Sequence, residues 1–189
     1  PNLKYKREDR WANYLKGVLA ELAERDFDLP GFEFTITSDI PQNIGLGSSD
    51  ALCTAAAIAV CRCLEIELDP QDLIDVAYGA EARFIGLAKE PTDVATSLLA
   101  VAGKAIYLDM RTLAYRHVSL ELGSAKLVLT NSHVPHIDVD DYIEERRGEC
   151  DACVEHLQAK NSGTALRDYS IEDLKSGIGI LPESLRRLC

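Results

Sequence analysis

Apolar and polar positions repeat along this chain with two different periods, and each change of period marks a new element. From Arg7 to Arg25, Trp11, Leu15, Val18, Leu19 and Leu22 recur at helical spacing, with Lys16, Glu21 and Glu24 on the other side. That pattern predicts an amphipathic helix. Pro30-Gly31 breaks it. Phe32, Phe34 and Ile36 then alternate with Glu33, Thr35 and Thr37, the period of a half-buried strand. Pro41 and Gly45 interrupt again, and Ser48 begins a run, Ala51 to Leu64, that is apolar almost all round and predicts a helix buried on most sides. Asp69-Pro70 opens another helix, proline being tolerated in a first turn, which runs through Leu73, Val76, Ala77 and Ala80 to about Ile85.

A helix over 95–102, closed by Gly103, comes next in the pattern. It is followed by a hairpin pairing 104–110 with 115–120 about Arg111-Thr112-Leu113, then a further buried strand over 126–131. A charged helix over 140–158 carries Ile143, Cys150, Val154 and Leu157 as its apolar stripe. Short helical pieces punctuated by Gly163, Gly177 and Pro182 complete the chain. The order of strands and helices is a mixed α/β or α+β layout without regular βαβ alternation.

Composition narrows the function classes. Of 189 residues, 47% are hydrophobic and 27% charged, the balance of an ordinary globular domain. The longest apolar run is far short of the ~20 residues that span a bilayer. The formal charge of −11 disfavours nucleic acid or an anionic membrane as partner, since both call for a basic face. Cys53, Cys61, Cys63, Cys150, Cys153 and Cys189 have neither disulfide nor four-cysteine zinc spacing, so reduced thiols and a cytoplasmic setting are expected. The chain opens at Pro1 and stops at Cys189 within a helical pattern, which reads as an excerpt of something longer.

The candidate chemistry lies in Gly45-Leu46-Gly47-Ser48-Ser49. A phosphate needs donors and positive potential without side-chain bulk, and glycine lets backbone approach closely. The first amides of a helix point outward unsatisfied, and its dipole adds about half a positive charge there. The serine hydroxyls supply further ligands for phosphate or metal. A strand, a glycine turn, two serines and a buried helix together make an anion cradle. The P-loop is excluded because no lysine follows the glycines, and the dinucleotide fingerprint because Asp50 stands where its third glycine belongs. On these five residues alone, a serine N-cap after a flexible turn is the better account of the pattern.

The surrounding residues add specificity. Ile40-Pro41-Gln42-Asn43-Ile44-Gly45-Leu46-Gly47-Ser48-Ser49 resembles the second motif of the GHMP kinases, the galactose, homoserine, mevalonate and phosphomevalonate kinase superfamily. Within it the likeness is to the galactokinases. Trp11-Ala12-Asn13-Tyr14-Leu15-Lys16-Gly17-Val18 resembles their upstream helix. Ala80-Glu81, Phe84, Gly86 and Asp93 are similar to the segment ending in their catalytic aspartate. Tyr142, Glu145-Arg146-Arg147 and Glu149-Cys150 resemble a downstream helix.

The resemblance implies a two-domain α/β fold, with residues 1–137 as most of an ATP-binding amino-terminal domain and 138–189 as the opening helices of a second. It implies ATP phosphates wrapped by Gly45, Leu46, Gly47, Ser48 and Ser49, with Mg2+ at Ser48 or Ser49 and Glu81. Asp93 would stand at the sugar's anomeric hydroxyl as base or electrostatic partner, and Tyr142 would line the sugar pocket. The reaction implied is transfer of the ATP γ-phosphoryl group to the C1 hydroxyl of galactose or a related sugar.

Three departures from the family pattern keep other readings open. The family's first and third motifs are absent, so this chain by itself is expected to be inactive. Exposed apolar surface where they would pack is expected to make it self-associate. Lys89-Glu90-Pro91-Thr92 replaces a glycine-containing stretch, and Val94 a glutamine. Asp50 replaces an alanine beside the serines, either as a metal ligand or as a sign of weakened ATP binding. A non-catalytic sugar and nucleotide sensor, or another GHMP small-molecule kinase, are the alternatives.

Overall fold

The first helical period resolves into a 3-10 turn, Arg7–Asp9, and helix α1, Ala12–Ala23. The computed structural model describes residues 3–42, 44–87, 89–131, 133, 139–158, 162–177, 179, 181–183 and 185–186. Leu15, Val18 and Leu22 are buried on α1, and Leu19 packs at the margin of the same core. Trp11 leaves the expected stripe and is 56% exposed. The cause is local: Arg10 reverses the chain at φ 45°, so Trp11 precedes the helix instead of extending it. Buried Asn13 holds that reversal, its Oδ1 accepting from Lys6 N (3.1 Å) and its Nδ2 donating to the carbonyls of Lys6 (2.7 Å) and Arg10 (3.0 Å).

Helix α2 is Ser48–Cys63 and α3 is Pro70–Gly79. The Asp69 carboxylate caps α3 by accepting from Asp72 N at 2.9 Å. Beyond Gly79 the helix widens into a π turn, Ala80–Ile85, and stops at Gly86, whose φ of +87° suits a residue without Cβ. Helix α4, Thr92–Leu99, starts earlier than the pattern suggests and ends before Ala100, which is extended. These helices share one core that includes Val18, Leu22, Cys53, Val60, Ile74 and Val94. Helix α2 buries Asp50, Cys53, Thr54, Ala56, Ala57, Val60 and Cys61 and leaves Ala55, Ala59, Arg62 and Cys63 exposed.

One contact fixes how α1 meets the π turn. A Cβ added at Gly17 would lie 2.7 Å from the Ala80 carbonyl oxygen and 2.9 Å from its Cα, and neither backbone atom can swing aside. Alanine is the better helix former by about 1 kcal/mol. Gly17→Ala is nevertheless expected to destabilise the full-length protein, by about 1–3 kcal/mol of overpacking. A urea midpoint that rises in the variant would contradict this contact.

The expected hairpin forms from β1, Lys104–Leu108, and β2, Tyr115–Ser119, antiparallel with Ile106 opposite His117. The two other expected strands do not form. Phe32 and Phe34 keep their alternation, both packing against the core with rings 5.8 Å apart, yet 32–37 joins no ladder. Residues 126–131 are neither strand nor buried: Leu127, Val128 and Leu129 are 75%, 81% and 80% exposed. A strand exists only if its backbone groups find a partner edge. Among the described residues the sheet is β1 and β2 alone.

That exposed run carries a consequence for the 189-residue chain produced by itself. It is expected to self-associate through this apolar surface, and Val128→Asp with Leu129→Lys is expected to shift sedimentation toward the monomer. A chain already monomeric at high concentration would refute the idea.

The chain divides into two compact units, Pro1–His136 and Ile137–Cys189. The expected boundary, between residues 137 and 138, falls on residues outside those described. In the second unit, α5 (Val139–Gln158), a 3-10 turn (Leu166–Asp168) and α6 (Ile171–Gly177) surround small clusters containing Cys153, Val154, Leu157 and Tyr169. No helix among the described residues is long and apolar enough to cross a membrane. Cys53, Cys61, Cys63, Cys150 and Cys153 are free thiols.

Candidate active site

The loop before α2 has the backbone that an anion cradle requires. Gly45 has φ +74°, and Gly47, the N-cap of α2, has φ +65° and ψ 33°. Both values lie in the left-handed region, which side chains other than glycine enter at a cost. Ala51 N donates to Gly47 O at 2.9 Å and closes the first turn. The amides of Ser48, Ser49 and Asp50 belong to the helix start, where no carbonyl of the same helix precedes them. Ser48 and Ser49 are half-buried and Gly45 and Leu46 exposed, so the loop borders solvent.

Asp93 stands at the same spot, in the first turn of α4. Its Cβ is 3.6 Å and its Oδ2 3.7 Å from where a Cβ on Gly47 would be, and Asp50 Oδ2 is also 3.7 Å from that point. Two helix N-termini therefore meet at Gly47. One contributes unsatisfied amides and the other an exposed carboxylate.

Behind the loop lies a buried charge cluster. Asp50 is 3% exposed and Glu81 fully buried. Lys89 Nζ donates to Asp50 Oδ1 at 2.5 Å and stands 3.0 Å from Glu81 Oε2, as an ion pair off hydrogen-bond geometry. Burial pushes the Glu81 acid up and the Asp50 charge adds to it. The Lys89 ammonium and the Ser49 hydroxyl oppose them without cancelling the shift. Lys89 is itself raised: burial disfavours its charge, but Asp50 and Glu81 outweigh that penalty. Burial also raises the Cys53 thiol and the Tyr14 phenol, and Glu81 adds to both. No three His, Cys, Asp or Glu side chains group as a metal cage among the described residues.

The π turn that presents Glu81 is anchored by a second network. Glu81 O accepts from both Gly86 N (3.1 Å) and Leu87 N (3.0 Å). Arg83 Nε donates to Glu21 Oε1 at 3.1 Å and Nη2 to Glu21 Oε2 at 2.5 Å, while Nη1 reaches Asp75 Oδ1 at 2.9 Å. Arg25 closes the circuit, bonding the Glu21 carbonyl at 2.7 Å and pairing with Asp75. Buried Glu21 is thus ringed by cations, and α1, α3 and the π turn are tied together.

The structure brings Gly45, Leu46, Gly47, Ser48 and Ser49 to one place with Asp93, and Glu81 directly behind them. Tyr142 belongs to the second unit. It is exposed on α5, with the Arg146 guanidinium 5.0 Å from its ring centroid and Arg146 Nε donating to its hydroxyl at 3.0 Å. Sequence reasoning missed Lys89 as the partner of Asp50. It treated the two as separate departures, and they are one feature. The available signal was that a carboxylate buried beside an anion site needs a cation, and Lys89 lies in the segment that meets it. The Glu21, Asp75 and Arg83 circuit left no such trace.

A concavity of about 610 Å3 lies along the opposite half of α2, lined by Ile58, Cys61, Arg62 and Leu68 among others. Its lining is mixed, with Arg62, Glu67 and Asp69 beside apolar side chains, and none of the predicted site residues lines it.

Comparison with known proteins agrees with this geometry. Residues 13–101 match the family described as GHMP kinases N terminal domain. A galactokinase of Halalkalibacterium halodurans is 31% identical over 178 residues, covering 94% of this chain and 45% of that protein. A galactokinase of Roseiflexus sp. is 35% identical over 177 residues, covering 93% and 45%. The crystal structure of Lactococcus lactis galactokinase complexed with galactose superposes on 98% of this chain and 48% of that one. Its TM-score is 0.79 at 24% sequence identity, which establishes a shared mixed α/β fold. The chain belongs to the GHMP kinase superfamily. Within that superfamily its relatives just described are galactokinases, and it spans about half their length.

Proposed function

We propose that the full-length protein is an ATP-dependent sugar kinase, transferring the γ-phosphoryl group of ATP to the C1 hydroxyl of galactose or a related sugar. The observation that carries this reading is Asp93 against Gly47, a carboxylate set at the mouth of an amide-lined helix start. The amides of Ser48, Ser49 and Asp50, with the α2 dipole, would hold the phosphates, and their fixed partial charges offset charge as it shifts during transfer. Asp93 would orient the sugar hydroxyl and accept its proton, the attacking oxygen moving onto the γ-phosphorus as ADP leaves. Positioning supplies most of the rate in such a reaction. Tyr142 is proposed for the sugar pocket on the family likeness, and a cytoplasmic setting on the free thiols.

Magnesium, when bound, would neutralise phosphate charge. The half-buried hydroxyls of Ser48 and Ser49 fit it, as hard oxygen donors at the solvent border. Glu81 as it stands does not, because its carboxylate is fully enclosed and already faces the Lys89 ammonium.

The test is a substrate panel with the full-length protein and ATP, the product identified by NMR. Galactose 1-phosphate or another sugar 1-phosphate is expected. Phosphorylated homoserine or mevalonate would move the protein elsewhere in the superfamily. Sugar binding without turnover on any substrate would establish the sensor reading, which the altered charge cluster at Asp50 favours.

A further inference from the structure

We propose that Lys89 is a cation built into the nucleotide loop, holding the place beside Glu81 that a divalent ion would need. The proposal rests on the nucleotide reading of the same loop for its purpose, and on the charge cluster alone for its geometry.

Asp50 and Glu81 come from α2 and the π turn, and both are buried, with the Lys89 ammonium between them. Two such carboxylates behind a phosphate loop would repel the very anion that the amides attract. A cation at their level offsets that penalty, and Lys89 Nζ is 2.5 Å from one and 3.0 Å from the other. Its ammonium is itself mostly buried, so the pair is not a surface ion pair screened by salt.

A divalent ion cannot join this arrangement cheaply. Beside the ammonium it would meet a like charge, and its own double charge doubles that repulsion. Magnesium also keeps several waters and demands octahedral oxygen donors, and the Lys89 ammonium stands 3.0 Å from Glu81 Oε2, where such a shell would have to form. A lysine serves the neutralising purpose without either requirement. It adds one fixed positive charge, and needs no ion from solution. Glu81 then acts as a positioning residue for Lys89 and not as a metal ligand.

Two arms test this with the full-length protein. In the first, Mn2+ is titrated by electron paramagnetic resonance without nucleotide. Wild type is expected to show no site that E81Q abolishes, while K89M, its two carboxylates left without a cation, gains Mn2+ affinity by at least about tenfold. A wild-type site lost in E81Q would overturn the proposal, as would a folded K89M that gains none. In the second arm, which holds if K89M does not fold, ATP affinity is measured in magnesium and in EDTA. The ratio of the two should agree between wild type and E81Q within about threefold, and a ratio that collapses in E81Q would overturn the proposal. Absence of ATP binding in every condition would refute the nucleotide reading, while the Mn2+ arm still decides Lys89.

Discussion

Replacing Asp93 with asparagine in the full-length protein is expected to lower phosphoryl transfer by about 10²–10⁴-fold, the usual worth of a positioned acid or base. The substitution keeps the shape of the side chain and removes only its charge and its capacity to take a proton. Asp93 is exposed in the first turn of α4 and carries none of the core, whose adjacent members are Val94 and Ala95. The fold should therefore survive. ATP should bind as tightly as before or slightly more so, because a negative charge near the triphosphate has gone. The effect would fall on kcat, with the ATP Kd measured separately. A variant with unimpaired kcat would remove Asp93 from the chemistry and leave the loop as a binding site alone.

Arg83→Ala is expected to cost the fold about as much stability as Gly17→Ala, by a different route. Breaking a buried ion pair typically costs 3–5 kcal/mol, since the partner is left buried and uncompensated. Here Glu21 is buried, but Arg83 and Asp75 are both nearly half exposed and Arg25 still reaches Glu21 at 3.4 Å. Screening and that residual partner reduce the expected loss to about 1–3 kcal/mol.

The pH dependence follows from Asp75. Burial pushes its acid up, but the Arg83 and Arg25 guanidiniums outweigh it and hold it below the usual carboxylate range. A lowered folded value means that the stabilisation is complete above the unfolded value, about 3.9, and is lost as pH falls through the lower folded value. The gap between wild type and Arg83→Ala, read from urea midpoints, should thus narrow in acid. A gap that widens there would show that the circuit contributes in some other way. Because the π turn carries Glu81, the same variant is expected to weaken nucleotide binding more than its exposure would suggest.

What the sequence made legible was local. The glycine turn before α2, the helix start at Asp69-Pro70, the hairpin and the buried side of α1 all depend on residues a few positions apart, and period and turn chemistry report those. What it hid depends on partners far along the chain. Phe32 and Phe34 alternate as a strand would, yet alternation records which side faces the core and says nothing of an edge to pair with. Leu127, Val128 and Leu129 read as buried for the same reason and are exposed. Trp11 fell outside its helix because Arg10 turns the chain just before it. The gap that matters most for function is Asp50, Glu81 and Lys89. Three segments had to be folded together before two apparent departures from the family pattern became one ion cluster.

For Glu81 and Asp93 the family likeness implied roles, and coordinates were needed to distinguish their surroundings. One carboxylate is sealed against an ammonium, and the other is open at the loop's mouth. Near-identical chemistry at two places in the sequence thus becomes one buried and one exposed carboxylate.

The claim beneath all of this is that residues 45–51 hold the phosphates of a nucleotide. Amide hydrogen exchange of the full-length protein, with and without a non-hydrolysable ATP analogue, addresses it directly. The loop and the first turn of α2 should exchange more slowly when the analogue is bound, with Gly47 and Ser48 among the amides most protected. Protection confined to other segments, with exchange at 45–51 unchanged while the analogue is demonstrably bound, would contradict it.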